Sequence, residues 1–426
     1  MNQIFAAMLA VSACASAAQA QTQTQTQSGS LPAGVGLLSI EQARALALAN
    51  APGVGAADAG VRAAEAGRRV AGLRPNPSIN VEVENVIGSG GYNGFSSAET
   101  TLSMGLPLEL GGKRGARIAV AETQTERARL GIAIARADTR MRVTQAYNDA
   151  VASERRLIIL REQMVIAQEV LRAASVRVRA GRASPIEEQR ADVARINGQN
   201  AMEQAERKAL LARGNLARLI GQVPGALDGA WFDRIGSAGP QLPAGADGSL
   251  ALAAAQVDVS TAEAQVRLAR SQRVPDLTLS AGARRFEGSK DVAAVFGVSI
   301  PFPLFNGGRA NLDAAQAQRE QAESLRKVAA LEAEQAIAGA QADLANAQAD
   351  ARTANGPALD AAVETARIAR IGYREGKFGQ LDLLQAEQVL AQTRLAAIDA
   401  TAAYHDAEAR LERLTLRAPT ETGIQP

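Results

Sequence analysis

Imidazole and thiol chemistry rest on two residues in this chain of 426, His405 and Cys14. One of each cannot build a Cys/His metal site or a disulfide framework. A His-based nucleophilic triad would have to use His405, which sits among Ala and Asp late in the chain, and no nucleophile elbow or phosphate loop accompanies it. The expectation is therefore no catalytic residue, no cofactor and no resident metal: the chain does not read as an enzyme, and His405 reads as structural. The net charge of +2 leaves no basic excess that would argue for nucleic acid. Charge and glycine are patterned elsewhere. Arg179-Ala180-Gly181-Arg182-Ala183-Ser184 is echoed by Arg374-Glu375-Gly376-Lys377-Phe378-Gly379, with the glycines 195 positions apart. An acidic residue follows each at the same offset, Glu187 and Asp382. Glycine supplies the positive φ that lets a helix reverse, and a carboxylate in a helix's first turn is favoured by the dipole.

Two more landmarks recur in the same order. Pro107 and Pro301 stand 194 apart, and Pro77 and Pro275 stand 198 apart. A period this long is not a short solenoid repeat; it is a duplicated half, a strand pair followed by a long helical hairpin. In the first half Ile79, Val81 and Val83 alternate with Asn80, Glu82 and Glu84. Leu102, Met104, Leu106 and Leu108 alternate with Thr101, Ser103, Gly105 and Pro107. In the second half Leu277, Leu279 and Ala281 oppose Thr278, Ser280 and Gly282, while Phe296, Val298, Ile300 and Phe302 oppose Val295, Gly297 and Ser299. Period two predicts strands, at 78–87, 98–110, 276–285 and 292–303. Each pair ends in a Gly-Gly turn, Gly111-Gly112 or Gly307-Gly308. Arg114 to Ala180 then runs 67 residues without Pro, roughly 100 Å of helix at ~1.5 Å per residue. Arg309 to Glu375 matches it in length, with a kink expected at Gly356-Pro357. Leu157, Leu160, Met164, Ala167, Leu171 and Ala174 form a heptad seam that requires a partner helix. The partners return from Pro185 and from Leu381.

Composition agrees with thin seams between long helices: aromatics make up 3% of the chain against 47% for the broad apolar class, and Ala supplies the difference. Residues 1–20 read as a secretory signal, with an apolar run from Ile4 and an Ala18-Gln19-Ala20 cleavage site. A second reading takes Val11-Ser12-Ala13-Cys14 as a lipoprotein box with Cys14 lipidated. The segment 21–37 is polar and reads as disordered. Residues 38–223 form the first repeat, with its tip near 181. A Gly/Pro-rich linker, 224–248, holds the one Trp, Trp231. The second repeat spans 249–417, with its tip near 376, and 418–426 is a loose tail. Past the signal no apolar stretch is long enough for a spanning helix.

Four strands cannot close a barrel, and an open membrane sheet leaves its edge groups unsatisfied in hydrocarbon. Closure needs other copies, two for eight strands or three for twelve. Val81, Met104, Val298 and Ile300 are expected to face lipid, and Asn80, Glu82 and Ser299 water. Helices of roughly 100 Å projecting from such a barrel make the wall of a tube.

From Leu38 to Leu416 the chain resembles the TolC-like outer-membrane efflux factors, through its halves, strand pairs, 67-residue helices and tips. Arg74-Pro75-Asn76-Pro77, Val83-Glu84-Asn85 and Pro107-Leu108-Glu109-Leu110-Gly111-Gly112-Lys113-Arg114 look most like the branch serving cobalt–zinc–cadmium resistance pumps. The resemblance implies a mainly α fold with a membrane β-barrel: a homotrimer with twelve strands, continued by a periplasmic α-helical barrel in the outer membrane of a Gram-negative bacterium. It also implies a passive exit duct that meets outer-membrane lipid, a periplasmic adaptor (membrane fusion protein) and a proton-driven inner-membrane pump. Drugs or secreted polypeptides are alternative cargoes. A periplasmic adaptor is the alternative of another class, disfavoured by two hairpins and outward apolar strands. The family's aperture carries acidic residues at the position of Asp382 and three residues later, where this chain has Gln385, a departure that weakens a cation gate. Glu187 is the pseudo-equivalent of Asp382. For both, a first-turn carboxylate and an aperture carboxylate are open readings. Arg179, Gly181, Arg182, Ser184, Arg374, Gly376, Lys377 and Gly379 are the expected adaptor-docking tips.

Overall fold

The computed structural model describes residues 37–236 and 245–419. The signal segment, Cys14, residues 21–36 of the polar segment, residues 237–244 of the expected linker and residues 420–426 lie outside the described residues.

Two halves of the same design follow one another. A short leading helix, α1 (Ile40–Asn50), is opened by Ser39, whose Oγ accepts from Gln42 N–H while the Gln42 side chain accepts from Ser39 N–H. Helix α2 (Pro52–Ala71) starts on proline, which lacks the N–H that a first turn cannot use. It leads into β1 (Ser78–Glu84) and β2 (Glu99–Leu108), then α3 (Lys113–Arg179) and α4 (Pro185–Ile220). The second half gives α5 (Leu250–Gln272), β3 (Leu277–Phe286), β4 (Val292–Ser299), α6 (Arg309–Asn355), α7 (Pro357–Arg374) and α8 (Gln380–Thr415). The kink expected at Gly356-Pro357 is a full break between α6 and α7. Among the described residues no helix is long and apolar enough to cross a membrane.

Both long helices are lined end to end by shorter ones. Helix α3 packs on α2 near the strands and on α4 beyond, and α5 and α8 line another side of it. Helix α6 takes α5 and α8 in the same way, and α7 continues on α8. Alanine dominates the buried positions, among them Ala174, Ala191, Ala366 and Ala264. Its small side chain lets backbones approach and keeps the seam narrow. The broadest core lies half-way along α3, where Val143, Tyr147 and Val151 meet Ile40, Leu216, Ile220, Phe232 and Ile398.

The four strands form one antiparallel sheet in the order β1-β2-β3-β4. Register pairs Val81 with Leu102, Met104 with Ala281, and Leu279 with Val298. Directly opposed residues share a face, so Val81, Leu102, Met104, Leu106, Leu279, Phe296 and Val298 fall on one side and Asn80, Glu82, Thr101, Ser103, Ser280 and Ser299 on the other. The apolar face is open to the surroundings, with Val298 66% and Phe296 81% exposed. On the polar face Thr101 is buried and Ser103 and Ser280 are half-buried, while Asn80, Glu82 and Ser299 are exposed. Gly282 permits a close approach of β2 and β3: a Cβ there would strike Leu102 O and the Ser103 backbone across the ladder.

Strands β1, β2 and β4 are shorter than the expected 78–87, 98–110 and 292–303, while β3 keeps the length of the expected 276–285, shifted by one residue. Strand β1 stops at Glu84 because Asn85 takes φ +59°. Strand β4 stops at Ser299 because Pro301 and Pro303 have no ladder N–H. Ile300 and Phe302, expected within a strand, lie beyond it, although both are exposed.

Two expectations about connections are corrected. The segment expected as a linker is packed through residue 236: Leu38 N–H donates to Ala226 O at 2.8 Å, Asp228 N–H to Leu38 O at 3.0 Å, and Phe232 is buried. The tail does not begin at Ala418, whose N–H donates to Gly248 O at 2.8 Å.

Candidate functional site

The two hairpin tips are built alike. Gly181 and Gly376 take φ +69° and +70°. At the first tip Arg182 N–H reaches back to Arg177 O at 2.8 Å, and Gly181 N–H to Val178 O at 3.0 Å. At the second, Lys377 N–H bonds Gly372 O at 2.8 Å, and Gly376 N–H bonds Tyr373 O at 3.1 Å. This double closure satisfies the last carbonyls of α3 and α7 and requires a left-handed residue at the glycine. The return helices start differently. Ser184 Oγ accepts from Ile186 N–H at 3.4 Å. Gly379 has no side chain, and the Asp382 carboxylate accepts its N–H at 3.0 Å instead. Arg179, Arg182, Arg374, Lys377 and Gly379 are exposed on these tips.

Asp382 is thus a first-turn cap by geometry, and it remains exposed. It lines a cleft of about 490 Å³ with Thr365, Ile368, Ala369, Phe378 and Ala386, between α7 and α8. Glu187 is half-buried in a separate groove of about 200 Å³ with Arg190, Gln380, Leu381 and Leu384. Within one chain the structure does not bring the two pseudo-equivalent carboxylates into one cleft. Gln385, three residues beyond Asp382, is exposed.

Several tip residues carry structure that sequence reasoning missed. Arg370 grips Glu387 with two bonds, one at 2.7 Å, and Glu387 is only 3% exposed. The Glu387 carboxylate holds the Arg370 guanidinium above its ordinary range. The Arg177 guanidinium lies 4.6 Å from the centre of the Tyr373 ring, tying one hairpin to the other. Leu384 packs with Val170, Ala174 and Ala191, a second tie between hairpins. The Phe378 ring covers Gly372 so closely that a Cβ there would collide with it. Each contact depends on the register between helices, which no local sequence signal carries.

At the other end, the Glu109-to-Arg114 run that carries the family resemblance is the joint between sheet and tube. Gly111 and Gly112 take φ +72° and +73°, and a Cβ on Gly111 would meet Val274 and Ser271 O. Asp276, just before β3, accepts Leu110 N–H at 3.1 Å and Lys113 Nζ at 2.7 Å. Burial pushes the Asp276 carboxyl up, but these bonds outweigh it and hold it below the usual range. Arg117 clamps Glu109 and also donates to Leu73 O at 3.2 Å, so the end of α2, the end of β2 and the start of α3 are fastened together. On the polar face of the sheet Arg284 joins three strands, reaching Glu84, Glu99 and Thr101 at 2.9 Å each.

His405 lies far from both ends. It is 2% exposed, stacks on Trp231 with ring centres 4.0 Å apart, and places Nε2 3.0 Å from Phe232 O. It is a fastener between α8 and the packed segment 226–236. Among the described residues no cluster of His, Cys, Asp or Glu is arranged to hold a metal ion. The arrangement presents a sheet with a polar and an apolar face, a long helical wall and two matched tips.

The family described as outer membrane efflux protein matches residues 43–222 and 246–415. Among curated proteins, the cobalt-zinc-cadmium resistance protein CzcC of Cupriavidus metallidurans is 30% identical over 390 residues, covering 88% of this chain and 90% of that one. The nickel-cobalt-cadmium resistance protein NccC of Alcaligenes xylosoxydans xylosoxydans is 31% identical over 295 residues, 67% of this chain and 65% of that one. Among solved structures, the outer membrane protein VceC of Vibrio cholerae superposes with a TM-score of 0.72 at 21% identity, over 88% of this chain and 95% of that one. At that identity the likeness is one of fold.

Proposed function

The chain belongs to the outer membrane efflux protein family, and from that premise we propose that three copies form the exit duct of a tripartite efflux system for heavy-metal cations. It is an outer-membrane channel protein with a helical periplasmic extension, not an enzyme. The observation that carries the proposal is the division of the sheet into apolar and polar faces through all four strands, with both edges bare. Four antiparallel strands leave β4 running opposite to β1. The β4 edge of one copy therefore meets the β1 edge of the next in an antiparallel seam, and three copies close twelve strands with no edge left over. The outer helices support the same closure. Helix α4 exposes Ile186, Val193 and Leu210, and α6 exposes Leu325 and Leu331, each more than half uncovered in the single chain.

In this reading the tips, with Arg179, Gly181, Arg182, Ser184, Arg374, Gly376, Lys377 and Gly379, meet a periplasmic adaptor that links the duct to a proton-driven inner-membrane pump. Three Asp382 carboxylates ring the narrow end, with Gln385 beside them and Glu187 on the flank. The neutral Gln385 makes that ring a weaker cation gate than paired acidic rings. Metal cargo is supported by the metal-resistance names of the relatives. The test is growth of a deletion strain, complemented with this chain beside its adaptor and pump, on cobalt, zinc and cadmium. Restored resistance is the expected result. Normal outer-membrane abundance without any gain in metal resistance, but with restored drug export, would move the cargo to another class.

A further inference from the structure

Basic residues gather where sheet meets tube. Residues 66–77, 107–118, 266–276 and 300–312, the ends of α2 and α5 and the starts of α3 and α6, hold ten Arg or Lys against two Asp or Glu, in a chain whose net charge is only +2. Part of that charge is used internally: Arg68, Lys113 and Arg117 pair with Glu122, Asp276 and Glu109. Arg69, Arg74, Arg267, Arg270, Arg273 and Arg309 are exposed, and among the described residues none of them has an ion-pair partner. Arg114 donates only to the backbone, to Gly72 O at 2.6 Å.

The apolar face of the sheet runs down to this band. Leu73, Phe302, Leu304 and Phe305 are all exposed there, with Phe305 fully so. Aromatic and aliphatic side chains at strand ends mark the edge of a bilayer's hydrocarbon. Strands of 10 residues, as β2 and β3 are, match a tilted membrane strand of about 9–11 residues. Arg309, the first residue of α6, stands four residues after Phe305, and Arg74 follows Leu73 directly. A long arginine side chain anchored at that level keeps its stem on apolar surface and its guanidinium among headgroups. Guanidinium is also the side chain best matched to phosphate oxygens.

We propose that this band is a collar that binds the phosphates of anionic phospholipids in the periplasmic leaflet. The proposal rests on the outer-membrane reading above and adds a lipid preference to it. The collar would fix the depth of the barrel and hold the root of the tube against the leaflet while the tips, roughly 100 Å away, are pulled by partners.

The test uses the full chain in nanodiscs of phosphatidylcholine and phosphatidylglycerol in equal amounts, with retained lipids counted by native mass spectrometry. Retained lipid should be enriched in phosphatidylglycerol at low salt, and high salt should erase the enrichment. The triple variant Arg69→Gln, Arg74→Gln, Arg309→Gln should lose it, by up to about fivefold for each arginine removed. Arg172→Gln with Arg207→Gln, two exposed arginines on the hairpins, should keep it. Equal retention of the two lipids by the unsubstituted chain overturns the collar, and so does enrichment that survives the triple variant. If that variant does not assemble, the salt dependence of the unsubstituted chain decides. A chain that does not enter the nanodisc bilayer would overturn the membrane reading itself.

Discussion

A methyl group added to Gly181 or Gly376 would touch nothing within 4 Å, so a substitution there costs backbone strain and little else. For a bulky β-branched residue that strain is about 1–2 kcal/mol, confined to the turn. Gly376→Val should therefore leave export and oligomer formation intact while lowering metal resistance and adaptor crosslinking, read beside outer-membrane abundance. Charge reversal at Arg182 and Lys377 should do the same. Full resistance at normal abundance in the Gly181→Val, Gly376→Val double variant would show the tips to be ordinary turns. Gly372 behaves differently, because the Phe378 ring occupies the space its Cβ would need. Its role comes from a ring six residues away, across a chain reversal, and so was not legible in sequence, whereas the turn glycines were. A second residue-scale prediction concerns Asp406, whose carboxyl is pushed up by burial although Asn148 Nδ2 donates to it at 3.0 Å. A carboxyl raised in the folded state binds its proton more tightly than in the unfolded chain. Ionising it thus costs stability as pH rises through the folded value. Asp406→Asn should raise the unfolding temperature at neutral pH, with the gain fading as pH falls toward the ordinary aspartate range. A lower melting point at neutral pH would contradict this assignment.

At the scale of elements the strands offer the sharpest contrast. Val298 lies on the apolar face and Ser299 on the polar one. Arg at Val298 should impair barrel assembly by roughly 2–4 kcal/mol if it sits near the membrane midplane, and Arg at Ser299 should be milder. Heat-modifiable migration of the assembled oligomer measures both, and equal tolerance would reverse or abolish the face assignment. The alternation was legible because a strand's period is two whatever its partner does. The length of α3 was legible because its 67 residues contain no proline. The end of β4 was overrun, since Phe302 keeps the period while Pro301 and Pro303 remove the ladder donors. The segment 224–236 looked like a linker because the stretch 224–248 that contains it is rich in glycine and proline. Its packing comes instead from Leu38, Trp231 and Phe232 meeting α3 and α8. The pairing of Arg370 with Glu387, and of Arg177 with Tyr373, required the rotation of each helix about its axis, which periodicity fixes only as a broad stripe.

At the scale of the whole molecule, four strands with two bare edges require an oligomer, and the expected form in detergent is an obligate trimer. Mass photometry of the membrane-extracted protein checks this; a stable monomer with full β content would end the barrel assignment. The wall of that assembly is held at its middle by the contact between α8 and the segment that carries Trp231. The chain's one tryptophan lies face to face with its one histidine there, with ring centres 4.0 Å apart, and edge-on to Tyr147 at 5.8 Å. A neighbouring imidazole changes the emission of an indole. The molecule therefore carries its own optical gauge, one per subunit and half-way down the tube. A twist of α8 that opened the duct would register as a change in intrinsic fluorescence, with no dye attached and no background from any other tryptophan.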